Sequence, residues 1–324
     1  MTRTTRCAAT SAVLLVLGGC RAADISTLDL SEVSAEHLLS VPHYCEGVVF
    51  DHEGNGYISE GETVWRFSQD SGGAWQSRPF AERDGPNGHK VLADGTHLVC
   101  DAKQHAVRRL SADGEELDPA STECEGEPLR GPNDLSLDTP NGGFYFTDPG
   151  GSDDKKLVGT VHYVDAAGKT HLIDKRLAFP NGIVLTPNGK RLLVAESKKN
   201  RILVYGVHGP GQVGPRNVFA ELPAKDAARG QIDNQPDGMC LDARGNLYVA
   251  HYGMREVQVL NTQGRLVARL PGGNLTTSNV AFGGPDMNEL FVTGAIGNSD
   301  TTEGRLFRLR LGVEGLVILP ERDG

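Results

Sequence analysis

The feature that most constrains the fold of this chain is an internal repeat, because self-similarity at a period of about 40–50 residues indicates a repeat architecture. One phrase occurs six times: an oxygen-bearing residue, a strand-like run, a turn rich in Gly, Asp or Asn, and a second strand-like run. The copies open at Glu46, Asn87, Asn133, Asn181, Asp237 and Ser278. Their starts are 41, 46, 48, 56 and 41 residues apart.

Each copy is typical of a β-hairpin, since a short turn separates two strand-like runs. Further strand-like runs lie between the copies, at 63–67, 106–110, 160–164, 201–205 and 256–260. About four antiparallel strands per repeat predict an all-β fold, a single six-bladed β-propeller. We expect this domain to span residues 42–324, with residues 20–41 as an anchor or linker that begins ring closure. Helical turns are expected only at 31–40 and 222–230.

The six opening residues predict a metal site. If the first strand of each hairpin is innermost in its blade, these residues surround the central channel at one end. All six carry a side-chain oxygen, where a structural strand would favour Val or Ile. Such donors suit Ca²⁺, Mg²⁺ or Mn²⁺, with Zn²⁺ as a further candidate. A structural alternative is that Asn and Asp favour turns, with Gly following four of the six openers; it explains Glu46 poorly.

A second set of residues should lie near the same end of the channel, because a hairpin returns to where it began. The residues 14 or 15 places after the openers are Glu60, Asp101, Asp148, Glu196, His251 and Thr293. We expect these side chains one layer further out, as partners of the ligands or as substrate contacts. His251 is the one member of this set of a residue type that ordinarily titrates near neutral pH, although a structural role is the commoner one for such a histidine.

The N-terminus has the pattern of an export signal. Arg3 and Arg6 precede an apolar run of about ten residues, and small residues then lead to Cys20. This pattern predicts a lipoprotein-type signal peptide at 1–19 and lipidation of Cys20, with the mature chain exported and anchored in a bacterial cell envelope, facing the periplasm. An ordinary signal peptide with an incidental cysteine is the alternative.

Four more cysteines follow, Cys45, Cys100, Cys124 and Cys240. Their spacing matches no zinc site, and an exported compartment permits disulfides, so we expect buried apolar residues or one bridge, such as Cys100 with Cys124.

The charge balance excludes one class of partner. The chain has 32 basic and 42 acidic residues, a net charge of −10, whereas a protein that follows nucleic-acid phosphates should be basic. The only apolar run is too short to span a bilayer, so contact with a membrane is expected only through Cys20.

Five phrases resemble the gluconolactonase/regucalcin (senescence marker protein) family, and the likeness extends over residues 42–317. They are CEGVVFD at 45–51, GPNDLSLD with GGFYFTDP at 131–149, FPNGIVLTPNGKRLLVAES at 179–197, QPDGMCLDARGNLYVAHYG at 235–253 and SNVAFGGPDMNELFVTGA at 278–295. The resemblance implies a six-bladed propeller with one divalent cation, commonly calcium, in the central channel. It also implies a lactonase, or an organophosphate hydrolase on the same scaffold.

Carried over by motif, the resemblance implies Glu46, Asn181 and Asp237 as metal ligands, with Asn133 as a fourth ligand or a substrate contact. Asn87 from the ring of openers is a further expected substrate contact. The expected reaction is the opening of a lactone ring, gluconolactonase-like, with the cation as Lewis acid and Asp237 as general base. A nucleophilic role for Asp237 remains open.

One departure from the family concerns the substrate. Animal members carry a lactone-binding Arg two residues before the Asn of the PND phrase, where this chain has Gly131, with Arg130 one residue earlier. The departure bears on specificity for sugar lactones more than on lactone hydrolysis. A non-catalytic envelope propeller that binds a sugar acid or a protein is the alternative function.

Overall fold

A computed structural model describes residues 23–82, 84–225 and 234–321 of the chain. Six antiparallel sheets of four or five strands and one two-stranded hairpin make up this part, and in each of the six the first strand of a repeat lies at one edge of the sheet. These first strands contact one another around a central axis, so they are the innermost strands of six blades. The predicted all-β, six-bladed propeller is confirmed.

The strand order is regular from blade to blade. The first three blades and their inserted hairpin consist of β2 (Cys45–Phe50), β3 (Gly56–Glu60), β4 (Thr63–Gln69), β5 (Trp75–Glu82), β6 (Pro86–Val91), β7 (His97–Asp101), β8 (Ala106–Leu110), β9 (Glu116–Ser121), β10 (Glu123–Cys124), β11 (Glu127–Pro128), β12 (Leu135–Asp138), β13 (Gly143–Asp148), β14 (Gly159–Val164) and β15 (Thr170–Leu177).

The last three blades, with the strand that closes the ring, consist of β1 (Glu36–Val41), β16 (Pro180–Leu185), β17 (Arg191–Glu196), β18 (Arg201–Gly209), β19 (Gln212–Val213), β20 (Asn217–Glu221), β21 (Gln235–Leu241), β22 (Leu247–Tyr252), β23 (Glu256–Leu260), β24 (Leu266–Pro271), β25 (Thr276–Gly283), β26 (Glu289–Ala295) and β27 (Gly304–Arg310). The helices among the described residues are three short 3₁₀ turns, Ile25–Thr27, Thr139–Asn141 and Ser197–Lys199. No helix in the described ranges is long and apolar enough to cross a membrane.

The hydrophobic core is divided among the blade interfaces. Each of six apolar clusters joins one blade to its neighbour, as where Val49 and Tyr57 of blade one meet Val91 and Leu110 of blade two. A blade therefore buries its apolar faces only when both neighbours are present, which is how a ring of small sheets acquires a sizeable core.

The ring is closed by the N-terminal strand. β1 pairs antiparallel with β27 and forms the outer strand of blade six, whose other three strands come from the C-terminal end of the chain. Arg308 of β27 binds Glu36 of β1 at 2.9 Å and Glu289 of β26 at 3.1 Å, and it is 6% exposed. Chain ends far apart in sequence are thus joined by a strand pair and by ion pairs of the buried Arg308.

Two local expectations have a definite outcome. The helical turn expected at 31–40 is wrong, because strand β1 occupies 36–41 and its pairing with β27 outweighs local preference. All four described cysteines are buried and free, so the possible Cys100–Cys124 bridge does not form. Of the stretch 222–230, residues 226–230 lie outside the described ranges, as do the expected signal peptide and Cys20.

We call the end of the ring where the inner strands begin the upper end, and the opposite one the lower end. Beyond β27 the chain crosses the lower end. Leu316 N donates to Leu241 O in blade five, and the His52 ring in blade one contacts Pro320 O at 2.7 Å. The C-terminal segment therefore links three blades at the lower end.

Candidate metal centre

Five of the six opening residues line one cavity at the upper end of the channel. The cavity has a volume of about 710 Å³, and its wall includes Glu46, Asn87, Asn133, Asn181 and Asp237. All but Asn87 are at least nine-tenths buried. The structure thus brings together the four expected ligands and the expected substrate contact Asn87.

The backbone explains why these side chains converge. Inner strands bulge just after the opener, where the pairing with the second strand shifts, as between Pro180 and Ile183 or between Pro236 and Met239. Gly182 follows Asn181, and a side chain there would clash with the carbonyl oxygen of Asp237 in the next blade. Gly182 therefore allows the inner strand of blade four to approach the carbonyl of Asp237, the opener of blade five.

The carboxylates of Glu46 and Asp237 are both buried and repel each other. Burial is the largest cause that raises the pKa of Glu46, to about 7, and the Asp134 carboxylate adds to it. Burial followed by repulsion from Glu46 holds the pKa of Asp237 well above its usual range. Neither carboxylate forms an ion pair with a basic side chain within the described ranges, so their charges lack a compensating cation.

Tyr44 is a residue of the centre that sequence reasoning missed. Its hydroxyl donates to Glu46 Oε1 at 2.5 Å and also bonds to Asp237. Its ring meets that of Tyr252 edge-on, with centroids 6.3 Å apart, and Tyr252 Oη donates to Asn298 Oδ1 at 3.0 Å. A hydroxyl bonded to both carboxylates fixes their orientation. The period of the repeat carries no signal for Tyr44, which lies two residues before the opener.

Asp134 and Asn279 also belong to the centre. They directly follow an opener, at the position that is Gly in the other four blades, and they pack over Gly88 and Gly238 of the neighbouring blades. Asn279 bonds to Glu46, whereas the opener of its own blade, Ser278, donates to Cys45 O away from the cavity. The sequence signal was present, because only these two repeats replace the glycine by a side chain with an oxygen.

The residues present fit a hard divalent cation. Asn133 Oδ1 is buried and has no hydrogen-bond partner among the described residues, and it shares the cavity wall with the two repelling carboxylates. No group of three or more His, Cys, Asp or Glu side chains in the described ranges could hold a metal, so the centre depends on its amides. An all-oxygen set suits Ca²⁺, Mg²⁺ or Mn²⁺ better than Zn²⁺, which prefers nitrogen and sulfur.

The repulsion at the centre predicts a pH dependence of stability. A carboxyl whose pKa rises on folding binds its proton more tightly in the folded state, so its stabilising effect is lost as pH rises from the unfolded value near 4.5 to about 7. In chelator, we expect the melting temperature to fall by several degrees between pH 5.5 and 7.5, since one pKa unit corresponds to about 1.4 kcal/mol. Calorimetry with and without Ca²⁺ measures this effect.

The matched variant for that measurement is Glu46→Gln, which keeps the shape of the side chain and removes the charge. We expect its metal-free melting temperature to be less sensitive to pH over this range. If the metal-free melting temperatures of the wild-type protein and the variant depended on pH in the same way, the carboxylates would not repel each other as described.

The expected outer contacts lie elsewhere. Asp148, Glu196 and His251 are buried, but none of them is on the cavity wall. Asp148 accepts from Arg130 N at 2.9 Å, Glu196 accepts from Ala178 N at 2.9 Å, and His251 Nε2 contacts Asn200 Oδ1 at 2.8 Å. Burial lowers the pKa of His251 to about 3, which keeps it neutral. These side chains hold the backbone around the centre, and a substrate contact for them stays a prediction.

Arg130, the arginine displaced by one position from the place of the lactone-binding Arg in the family, lies at the rim of the cavity. Arg130 lines the cavity although it is one position earlier than the family pattern, and its Nη1 donates to Val158 O at 2.8 Å. Its side chain packs against Gly150, where an added Cβ would lie 2.6 Å from the Arg130 Cβ. The guanidinium is therefore held at the rim, with Gly131 beside it on the wall.

The fold and this centre define a class of protein, the six-bladed propeller with an oxygen-rich site on its axis. The sequence profile described as the SMP-30/Gluconolactonase/LRE-like region matches residues 44–296. The chain belongs to this family, which confirms the resemblance seen in the sequence.

Named relatives agree with this assignment. The chain is 29% identical over 212 residues to a gluconolactonase from Zymomonas mobilis, covering 61% of this chain and 58% of that protein. It is 28% identical over 284 residues to lactonase drp35 from Staphylococcus epidermidis, covering 83% of this chain and 84% of the other. A solved structure from Agrobacterium tumefaciens, described as the calcium-binding protein regucalcin, has the same fold, with a TM-score of 0.69 and 19% identity over 90% of this chain and 97% of that one. The expected enzyme class, a carboxylic-ester hydrolase, is the class of the two named lactonases.

Proposed function

We propose that this protein is a metal-dependent hydrolase that opens a lactone ring, with a sugar lactone as substrate and an aldonic acid as product. The observation that carries the proposal is the convergence of Glu46, Asp237, Asn133 and Asn181 on one cavity. Membership in a family with named lactonases supports the substrate class.

In the proposed centre, Glu46, Asp237, Asn133 and Asn181 hold one divalent cation, with Ca²⁺ the best match for the oxygen donors. When bound, the cation polarises the ester carbonyl and lowers the pKa of a nearby water. The chain supplies the geometry: buried carboxylates fixed by the Tyr44 hydroxyl, and the Asn87 amide on the same wall as a donor to the substrate.

In the proposed reaction Asp237 acts as the general base. Its carboxylate takes a proton from the attacking water as the new C–O bond forms, and the proton passes to the ring oxygen as the ring C–O bond breaks, which yields the open-chain hydroxy acid. Direct attack by Asp237 on the carbonyl is the rival role, in which water then releases the acid from an acyl-enzyme.

The proposed location follows from the N-terminal sequence, in which an apolar run and small residues precede Cys20. The mature protein is then exported and held at the envelope by acyl chains on Cys20, with a small-molecule lactone as its partner.

The test uses the chain from Asp24 onward after treatment with chelator. Proton release from D-glucono-1,5-lactone and a panel of other lactones is followed while Ca²⁺, Mg²⁺, Mn²⁺ or Zn²⁺ is restored singly. We expect turnover only with metal, with Ca²⁺ the most effective, and none in Glu46→Gln. Tight metal binding without turnover on any lactone would contradict the proposal and favour a binding module.

A further inference from the structure

We propose that the lower end of the propeller rests on a lipid bilayer and that the candidate metal centre faces away from it. This inference rests on the proposed lipid anchor at Cys20 and does not depend on the catalytic activity. It concerns a surface on the far side of the molecule from the cavity.

The described chain begins at the lower end. Asp24 binds Arg244 at 3.2 Å, and Arg244 lies in the turn between β21 and β22, where the inner strand of blade five ends. Ile25 is 1% exposed and packs in the apolar cluster shared by blades five and six. β1 then runs from the lower to the upper end, since Glu36 pairs with Arg308 and Val41 with Gly304, at the start of β27. The N-terminal chain therefore enters the ring from below.

The length of chain before Asp24 limits where an anchor lies. Cys20 precedes Asp24 by four residues, which span at most about 14 Å when fully extended. The seven residues of β21 alone rise roughly 23 Å from one end of the blade to the other. The point where acyl chains are attached is consequently tied nearer to the lower end than to the upper rim.

The lower end also presents apolar side chains to solvent. Val317 and Ile318 are adjacent on the C-terminal segment and are 59% and 42% exposed. Their neighbours Leu316 and Leu319 point inward, against the cluster of blades four and five and that of blades one and two. The two exposed residues are thus held on a fixed segment rather than a loose tail.

Val317 and Ile318 orient the protein on the bilayer rather than attach it. Two partly exposed aliphatic side chains bury too little apolar area to hold the protein on a bilayer by themselves, so the acyl chains supply the attachment. The turns at this end carry charges of both signs, Glu53 and Asp286 beside Lys190 and Arg244, which gives anionic lipids no electrostatic advantage. The occupant of this face is accordingly the apolar border of a bilayer of zwitterionic lipid.

The test uses the full-length lipidated protein in phosphatidylcholine vesicles that contain spin-labelled lipid. An environment-sensitive fluorophore is placed at the lower end in Val317→Cys, or at the upper end in Ile296→Cys, where the native side chain is 39% exposed. The four described native cysteines are buried, so labelling is directed to the new thiol. We expect quenching at position 317 to exceed that at 296 several-fold.

Two controls make the result decisive. Circular dichroism confirms that both labelled proteins are folded, and Cys20→Ser should abolish quenching at both positions. Equal quenching at the two positions, or stronger quenching at 296, would overturn the proposal, as would a mature chain that carries no acyl group. Lack of lactone turnover would leave this experiment unaffected, so the two proposals fail separately.

Discussion

Replacing Asp237 by asparagine is expected to reduce lactone turnover at least about 10³-fold while making the metal-free protein more stable. The variant keeps the size of the side chain but removes a proposed ligand charge and the proposed general base, whose loss typically costs 10²–10⁴-fold. It also removes one of two buried carboxylates that repel each other, and burial and Glu46 hold the pKa of Asp237 well above its usual range. Activity and metal-free stability should therefore change in opposite directions.

Steady-state turnover and calorimetry in chelator test this expectation, and Asp242→Asn is the matched control in the same blade. Asp242 is fully buried and accepts from Arg244 N at 2.9 Å, Asn246 N at 2.8 Å and Asn246 Nδ2 at 2.7 Å. Its replacement should lower stability by about 1–3 kcal/mol without changing turnover per folded molecule. Near-normal turnover in Asp237→Asn would contradict the proposed roles of Asp237 as a charged metal ligand and as the general base.

Removing the closing strand is expected to abolish cooperative folding. A chain that starts at residue 43 lacks Ile25, Leu39 and Val41, which are 1%, 8% and 3% exposed. Burial of three such side chains contributes roughly 5–9 kcal/mol, which is comparable to the whole stability of a typical domain. The deletion also leaves Arg308 without Glu36 and exposes the edge of β27, so we expect aggregation as well as unfolding.

Two shorter deletions make that comparison specific. A chain that starts at Asp24 retains every contact of β1 and should melt cooperatively, whereas one that starts at Ser34 keeps β1 and loses only Ile25 and its neighbours. In circular dichroism melts and size-exclusion chromatography, the chain from Asp24 should be the most stable, the chain from Ser34 less stable, and the chain from residue 43 the least stable. A folded, monomeric chain from residue 43 would show that blade six does not need its outer strand.

The propeller could be predicted from the sequence because each blade repeats the same hairpin, at spacings of 41 to 56 residues. β1 could not, since its pairing with β27 joins residues about 270 positions apart and no local pattern records that contact. A stretch with weak helical preference therefore became an outer strand. Long-range pairing decides such segments, as it does for other edge strands.

The candidate centre was predictable in part for the same reason. Glu46, Asn133, Asn181 and Asp237 occupy equivalent positions in their repeats, so alignment alone places them on one cavity. Tyr44 lies outside that register. Asn279 lies within it, one position after an opener, but its contact with Glu46 crosses from blade six to blade one. Contacts between repeats depend on how blades pack, which a single repeat does not encode.

The contact between a glycine and the next opener has a consequence for how this fold diversifies. Because Gly182 supports the backbone of Asp237, and Gly47 that of Asn87, the positions of the openers are set by main chain. Glu, Asn, Asp and Ser all occupy those positions on a shared frame. The backbone thus holds the opener positions in place whatever side chain they carry, so single substitutions there can change the chemistry of the site while the ring stays unaltered.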